Sequence, residues 1–102
     1  MAHLAAHAPR HKHRHESLLA LSDEWTRLDV RVKDLRKEPP AHVAFDWIVR
    51  RQAAIRDAMI ETPAATMAGV GAKRRVATAQ TAALDEDLLE SADCDVVRLV
   101  YA

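Results

Sequence analysis

The stretch SLLALSDEWTRLDVRVKDLRK, residues 17–37, decides how the chain folds. Its apolar residues Leu18, Leu21, Trp25, Leu28, Val32 and Leu35 are spaced three, four, three, four and three apart, the seam by which one helix packs along another. Charged residues fill the positions between them. Asp23 with Arg27, and Asp29 with Lys33, place an acid four residues before a base, each pair worth a few tenths of a kcal/mol on a solvated face. The helix is expected to start at Glu16 or Ser17, and Pro39-Pro40 ends it. Trp25 reads as a packing residue. Six seam positions cover only about two and a half heptads, too few for a lone coiled coil. The seam therefore has to be covered by the next helix, by a second copy of the chain, or by both.

Composition agrees with a helical reading. The chain has 102 residues, room for one domain at most, and 49% of them are hydrophobic. Twenty of these are alanines, however, and aromatics make up only 4%. Val, Leu and Ile must carry the burial, at about 1.5–3 kcal/mol for each fully buried side chain. Ordering costs about 1–2 kcal/mol per residue, so self-association is expected to add burial. Two glycines and four prolines leave little turn material, which favours long helices with short connections over a sheet.

Charge balances at fifteen basic and fifteen acidic residues, so no global field draws the chain to nucleic acid or membrane. The balance hides a basic middle and an acidic end. Residues 39–84 hold six Arg or Lys against three acids, and residues 85–102 hold six acids against Arg98. Cys94 is the lone cysteine, which excludes an internal disulfide and favours a reducing compartment. No apolar run reaches the length of a signal peptide or a membrane span, and a soluble, cytoplasmic protein is expected.

Residues 1–15, MAHLAAHAPRHKHRH, form a His-rich arm without apolar periodicity, and a disordered segment is expected there. His3, His7, His11 and His15 recur every four residues and, with His13, are the candidate metal ligands, since neighbouring imidazoles on one helical face chelate zinc, nickel or copper. Pro9 interrupts that array and works against a continuous helix through it. The alternation of His11, His13 and His15 with Lys12 and Arg14 suits phosphate or an acidic partner as pH falls. A second helix is expected from about residue 41 to residue 61, with Pro40 in its first turn and Ala44, Trp47, Ile48, Ile55, Ala58 and Met59 as its apolar stripe. Packed antiparallel on the first helix, it would set Trp47 opposite Trp25.

Residues 62–75, TPAATMAGVGAKRR, mark the next boundary, with Thr62 able to cap a third helix and Pro63 to open it. Ala64, Ala68 and Ala72, with Ala65 and Gly69 beside them, line up small residues that continue through Val76, Ala79 and Ala83. Such a face admits close approach of another backbone and reads as a docking surface. The segment resembles a recurrent pattern, Thr-Pro-Ala, Thr, Ala-Gly-Val, Ala-Lys and Arg, in short bacterial and prophage-like helical proteins, over roughly residues 43–100. That resemblance implies a small helical protein built on a helical hairpin, with no established activity and no functional residue to carry over. Gly71 departs from the pattern, and the His-rich arm lies outside it.

Gly69, Gly71 and Lys73 do not make a phosphate loop, which needs a preceding strand, wider glycine spacing and a Ser or Thr after the lysine. Lys73, Arg74 and Arg75, with Arg50, Arg51 and Arg56, form instead a candidate basic patch for a nucleic-acid backbone. The competing expectation is that these bases pair with the acidic end. That end opens with Asp85-Glu86-Asp87, favourable at a helix start, and Leu88, Leu89, Ala92, Val96, Val97, Leu99 and Val100 supply an apolar face. Residues 96–101 read as helix, with a strand as the alternative. No cofactor motif, paired catalytic carboxylates or Ser/His/Asp set occurs.

The fold expected is all-α: a hairpin of two long helices, then one or two shorter helices, completing a bundle by dimerisation. The function expected is that of a non-enzymatic interaction or oligomerisation protein, a homodimer, with Leu18, Leu21, Trp25, Leu28, Val32, Leu35, Trp47, Ala68, Gly69 and Ala72 at its contact surfaces. A nucleic-acid-associated regulator is the alternative, and metal binding by the N-terminal histidines a further one.

Overall fold

The first helix among the described residues begins at Pro9. A proline in a helix's first turn lacks an amide hydrogen that no intrahelical acceptor would have met, and the expected start at Glu16 or Ser17 moves seven residues earlier. The computed structural model describes residues 9–37, 42–80 and 83–101, with side chains from Ser17 onward in the first of these and from Val43 in the second. Among the described residues there are four helices and no strand: α1 Pro9–Lys37, α2 His42–Glu61, α3 Met67–Thr78 and α4 Glu86–Tyr101. The fold is all-α, and residues 96–101 are helical. None of the described helices is long and apolar enough to cross a membrane.

Each boundary has a local cause. Thr62 does not cap α3; its hydroxyl donates to the Ala58 carbonyl at 2.7 Å and closes the end of α2. The cap position falls to Thr66, whose extended backbone turns its carbonyl onto the Gly69 and Val70 amides at 3.1 and 3.3 Å. Asp85 caps α4, with Oδ1 accepting from the Leu88 amide at 3.2 Å, three residues on. Its own amide donates to the Ala77 carbonyl, which ties α4's start to α3's end.

Packing follows a cyclic order. α1 lies against α2 and α3, and α4 against α3 and α2. The seam of α1 resolves into one row of seven-residue spacing, Leu18, Trp25 and Val32, all buried, flanked by half-buried Leu21, Leu28 and Leu35. Leu18 and Trp25 join Ile55, Met59, Val70, Val76 and Leu88 in the main core. Val32 and Ile48 are buried apart from that core. They sit where α1 and α2 cover one another near the hairpin turn.

The small-residue face is real but rotated. Gly69 is closely packed, and a Cβ there would lie 3.0 Å from both Leu18 Cδ1 and Ala64 Cβ, so these neighbours would have to give way. Gly69, Ala72, Val76 and Ala77 are buried within the chain, whereas Ala65, Ala68, Ala79 and Ala83 are exposed. The expected run through Ala68 thus gives way to one led by Gly69. The apolar face of α4 is corrected similarly. Leu88 and Ala92 are buried with Asp95 beside them, while Val97 and Val100 face outward at 57% and 61% exposure.

Candidate interaction groove

Trp47 does not face Trp25. On α2 the buried residues Ile48, Ile55 and Met59 form a single row, and at 100° per residue Trp47 projects about 100° from it. Trp25 is 5% exposed and Trp47 63%. The outward tryptophan, with Val43 at 86% exposure, forms one wall of a groove of about 730 Å³. Ala44 and Ile48 complete that wall, and Arg27, Leu28 and Arg31 of α1 form the other.

Two contacts fix the helices around this groove. Arg51, one turn beyond Trp47, makes a bidentate pair with Glu24, Nε to Oε2 at 2.7 Å and Nη2 to Oε1 at 3.0 Å. Those hydrogen bonds hold the Glu24 carboxyl below its ordinary range and the Arg51 guanidinium above its own. Nearer the turn, the Arg36 guanidinium lies 5.7 Å from the centre of the Phe45 ring. The groove is the apolar strip left open between these fasteners. Burying the exposed part of Trp47, roughly 100–150 Å², is worth about 3 kcal/mol. Among the described residues no carboxylate lines the groove. From residue 27 to residue 50 the chain carries Arg27, Arg31, Lys33, Arg36, Lys37 and Arg50 against Asp29, Asp34, Glu38 and Asp46, a net charge of +2.

The expected basic patch does not assemble. Lys73 turns inward, fully buried, and its ammonium donates to Asp95 Oδ2 at 2.6 Å and Ser91 Oγ at 2.9 Å. Asp95 also meets Arg98 at 3.2 Å, and Arg98 reaches the Ala64 carbonyl. The Ser91 hydroxyl donates to the Ile60 carbonyl at 3.2 Å, so the network joins α3, α4 and the end of α2. Lys73 is therefore unable to reach a phosphate, which corrects its assignment to a nucleic-acid surface. Arg74 pairs with Asp93 at 3.1 Å, and Arg75 donates to Ser22 Oγ at 3.4 Å. Arg50 is exposed.

Arg56 is the most heavily paired base. It clamps Asp85 through Nε at 2.8 Å and Nη2 at 3.0 Å, and also meets Asp57 and Asp87. These bonds raise its pKa and lower that of Asp85, whose side chain is only 8% exposed. The pairing of the basic middle with the acidic end is thus present in Arg56, Lys73 and Arg74. Among the described residues no three His, Cys, Asp or Glu side chains converge as metal ligands. His3 and His7 lie outside the described residues, and the side chains of His11, His13 and His15 lie outside those described.

Arg27, Arg31 and Val43 were not readable as groove residues, because spacing assigns two of them to a solvated face. The signal that was available is the i, i+7, i+11 row of Ile48, Ile55 and Met59, which leaves Trp47 no place in the core. Comparison with protein-family models, curated proteins and solved structures finds no match to this chain.

Proposed function

We propose that the chain is a non-enzymatic helical interaction protein that self-associates, with the Trp47 groove as its contact surface. The observation that carries this reading is the exposure of Trp47 and Val43 beside half-buried Leu28, an apolar strip that a single copy leaves uncovered. A tryptophan flanked by arginines has the composition of an interface centre. A homodimer meets the need for burial that the thin core sets up, and a reducing, cytoplasmic setting suits exposed Cys94.

Light scattering from about 1 to about 500 μM tests it. Wild type moves from monomer to dimer over that range, and Trp47→Asp stays monomeric with an unchanged helical circular dichroism spectrum. A monomeric wild type throughout would refute the proposal. Duplex of random sequence at low salt addresses the nucleic-acid alternative, for which Arg50 and Arg75 of the expected patch make no carboxylate pair among the described residues. Tight binding with a steep salt slope would support that alternative, and no binding would remove it.

A further inference from the structure

The groove is open, basic at its edge and apolar at its floor. Its occupant should be a helix with acids at one end of its outer face and apolar residues at the other. α4 presents such a face. Leu88, Ala92 and Asp95 point inward, and the opposite side carries Glu86, Glu90, Asp93, Val97, Val100 and Tyr101 at spacings of four, three, four, three and one. Val97, Val100 and Tyr101 are 57%, 61% and 82% exposed, so the apolar end of this face is uncovered within one copy. Asp93 is held by Arg74, whereas Glu86 and Glu90 make no ion pair among the described residues.

We infer that the outer face of α4 from a second copy is what fills the Trp47 groove. Val97 and Val100 seat against Trp47, Val43 and Leu28, and Glu90 comes within reach of Arg27 or Arg31. This is the docking of an amphipathic helix into an apolar groove, with charge at the edge setting its direction. The inference rests on the self-association proposed above and specifies its contact. Each copy carries both halves, so two copies related by a two-fold axis exchange helices reciprocally, α4 of each into the groove of the other. A groove-to-groove dimer would instead bring Arg27 and Arg31 of both copies together, a like-charge contact that this arrangement avoids.

A mixing experiment on the full chain separates the two. Trp47→Asp blocks the groove and keeps α4 intact, while Val97→Asp/Val100→Asp blocks α4 and keeps the groove. All three residues are exposed, so both proteins keep the fold, as circular dichroism verifies. Each variant alone lacks both reciprocal contacts and stays monomeric over the concentrations at which wild type dimerises. Mixed in equal amounts, the two recover a heterodimer through their one intact contact, with a mass by light scattering between those of wild type and either variant. A wild type that dimerises together with a mixture that stays monomeric would overturn the inference and leave the self-association standing. Dimerisation of Val97→Asp/Val100→Asp as tight as that of wild type would overturn it too. Single-stranded oligonucleotide bound at low salt by wild type and not by Trp47→Asp would hand the groove to nucleic acid.

Discussion

Replacing Asp95 by leucine removes the partner of a fully buried ammonium. Lys73 has no solvent exposure, and its Nζ meets Asp95 Oδ2 at 2.6 Å and Ser91 Oγ at 2.9 Å. In Asp95→Leu the charge keeps a neutral hydroxyl and nothing of opposite sign, and breaking a buried pair from one side costs about 3–5 kcal/mol. Lys73→Met is milder. Asp95 then still has Arg98 at 3.2 Å, a guanidinium whose side chain is 45% exposed, so the expected loss is about 1–3 kcal/mol. The double variant Lys73→Met/Asp95→Leu removes both charges and fills similar volume, while Ser91 keeps its bond to the Ile60 carbonyl. It should lie within about 1 kcal/mol of wild type or above it.

The double-mutant cycle therefore closes with a coupling of about 3 kcal/mol or more, against a total stability of about 5–15 kcal/mol for a domain of this size. Urea unfolding followed by circular dichroism, at one fixed protein concentration, reads these values from midpoints at constant slope. Two results would refute the reasoning. One is an Asp95→Leu protein within about 1 kcal/mol of wild type, since the ammonium would then not be buried and unpaired. The other is a double variant as unstable as the sum of the single ones, since additivity means that the two groups do not interact.

The two glycines of α3 should respond oppositely to alanine. Gly71 faces open space, so Gly71→Ala gains about 0.5–1 kcal/mol of helix propensity, whereas Gly69→Ala loses that gain against Leu18 and Ala64 and Gly69→Leu costs about 1–3 kcal/mol; equal gains for alanine at both sites in urea unfolding would count against the packing. Asp85 should make the fold acid-sensitive. Its carboxyl is held below the ordinary 3.8 first by Arg56 and also by the Leu88 amide, so its contribution is fully present above that value and is lost as pH falls through the lower folded value. Asp85→Asn should cost about 1–3 kcal/mol at neutral pH and flatten stability against pH below about 4, and an unchanged acid limb would refute the assignment.

What sequence reveals here depends on whether a residue's environment is set by its own helix or by another. Leu18, Trp25 and Val32 share a row because helical geometry repeats every seven residues, so their burial was legible from spacing alone. Lys73 has its carboxylate 22 residues away, across a turn and on a different helix. Nothing local distinguishes it from Arg74, which is exposed. The sign was on the partner's side: Asp95 stands seven residues after Leu88 and three after Ala92, an acid in the inward row of an otherwise apolar face. An acid in such a row needs a cation brought to it, and the basic run of α3 was the nearby supply.

Trp47 is the reverse case, a large apolar residue that its own helix turns away from the core. Size and hydrophobicity argue for burial, while the row of Ile48, Ile55 and Met59 argues against it, and geometry prevails because a side chain cannot leave its helical angle. The groove then arises from two misfits on facing helices, Trp47 and Val43 on α2 and half-buried Leu28 on α1. Among the described residues no further helix lies over them: α3 packs on the other half of α1, where Leu18 meets Gly69 and the main core forms, and α4 packs on α3 and α2. The same division that leaves the groove bare leaves Val97 and Val100 bare on α4, since the inner side of α4 is spent on Leu88, Ala92 and the Asp95 network. Two uncovered apolar strips of opposite charge bias on one chain are the condition under which two copies bury more together than either does alone.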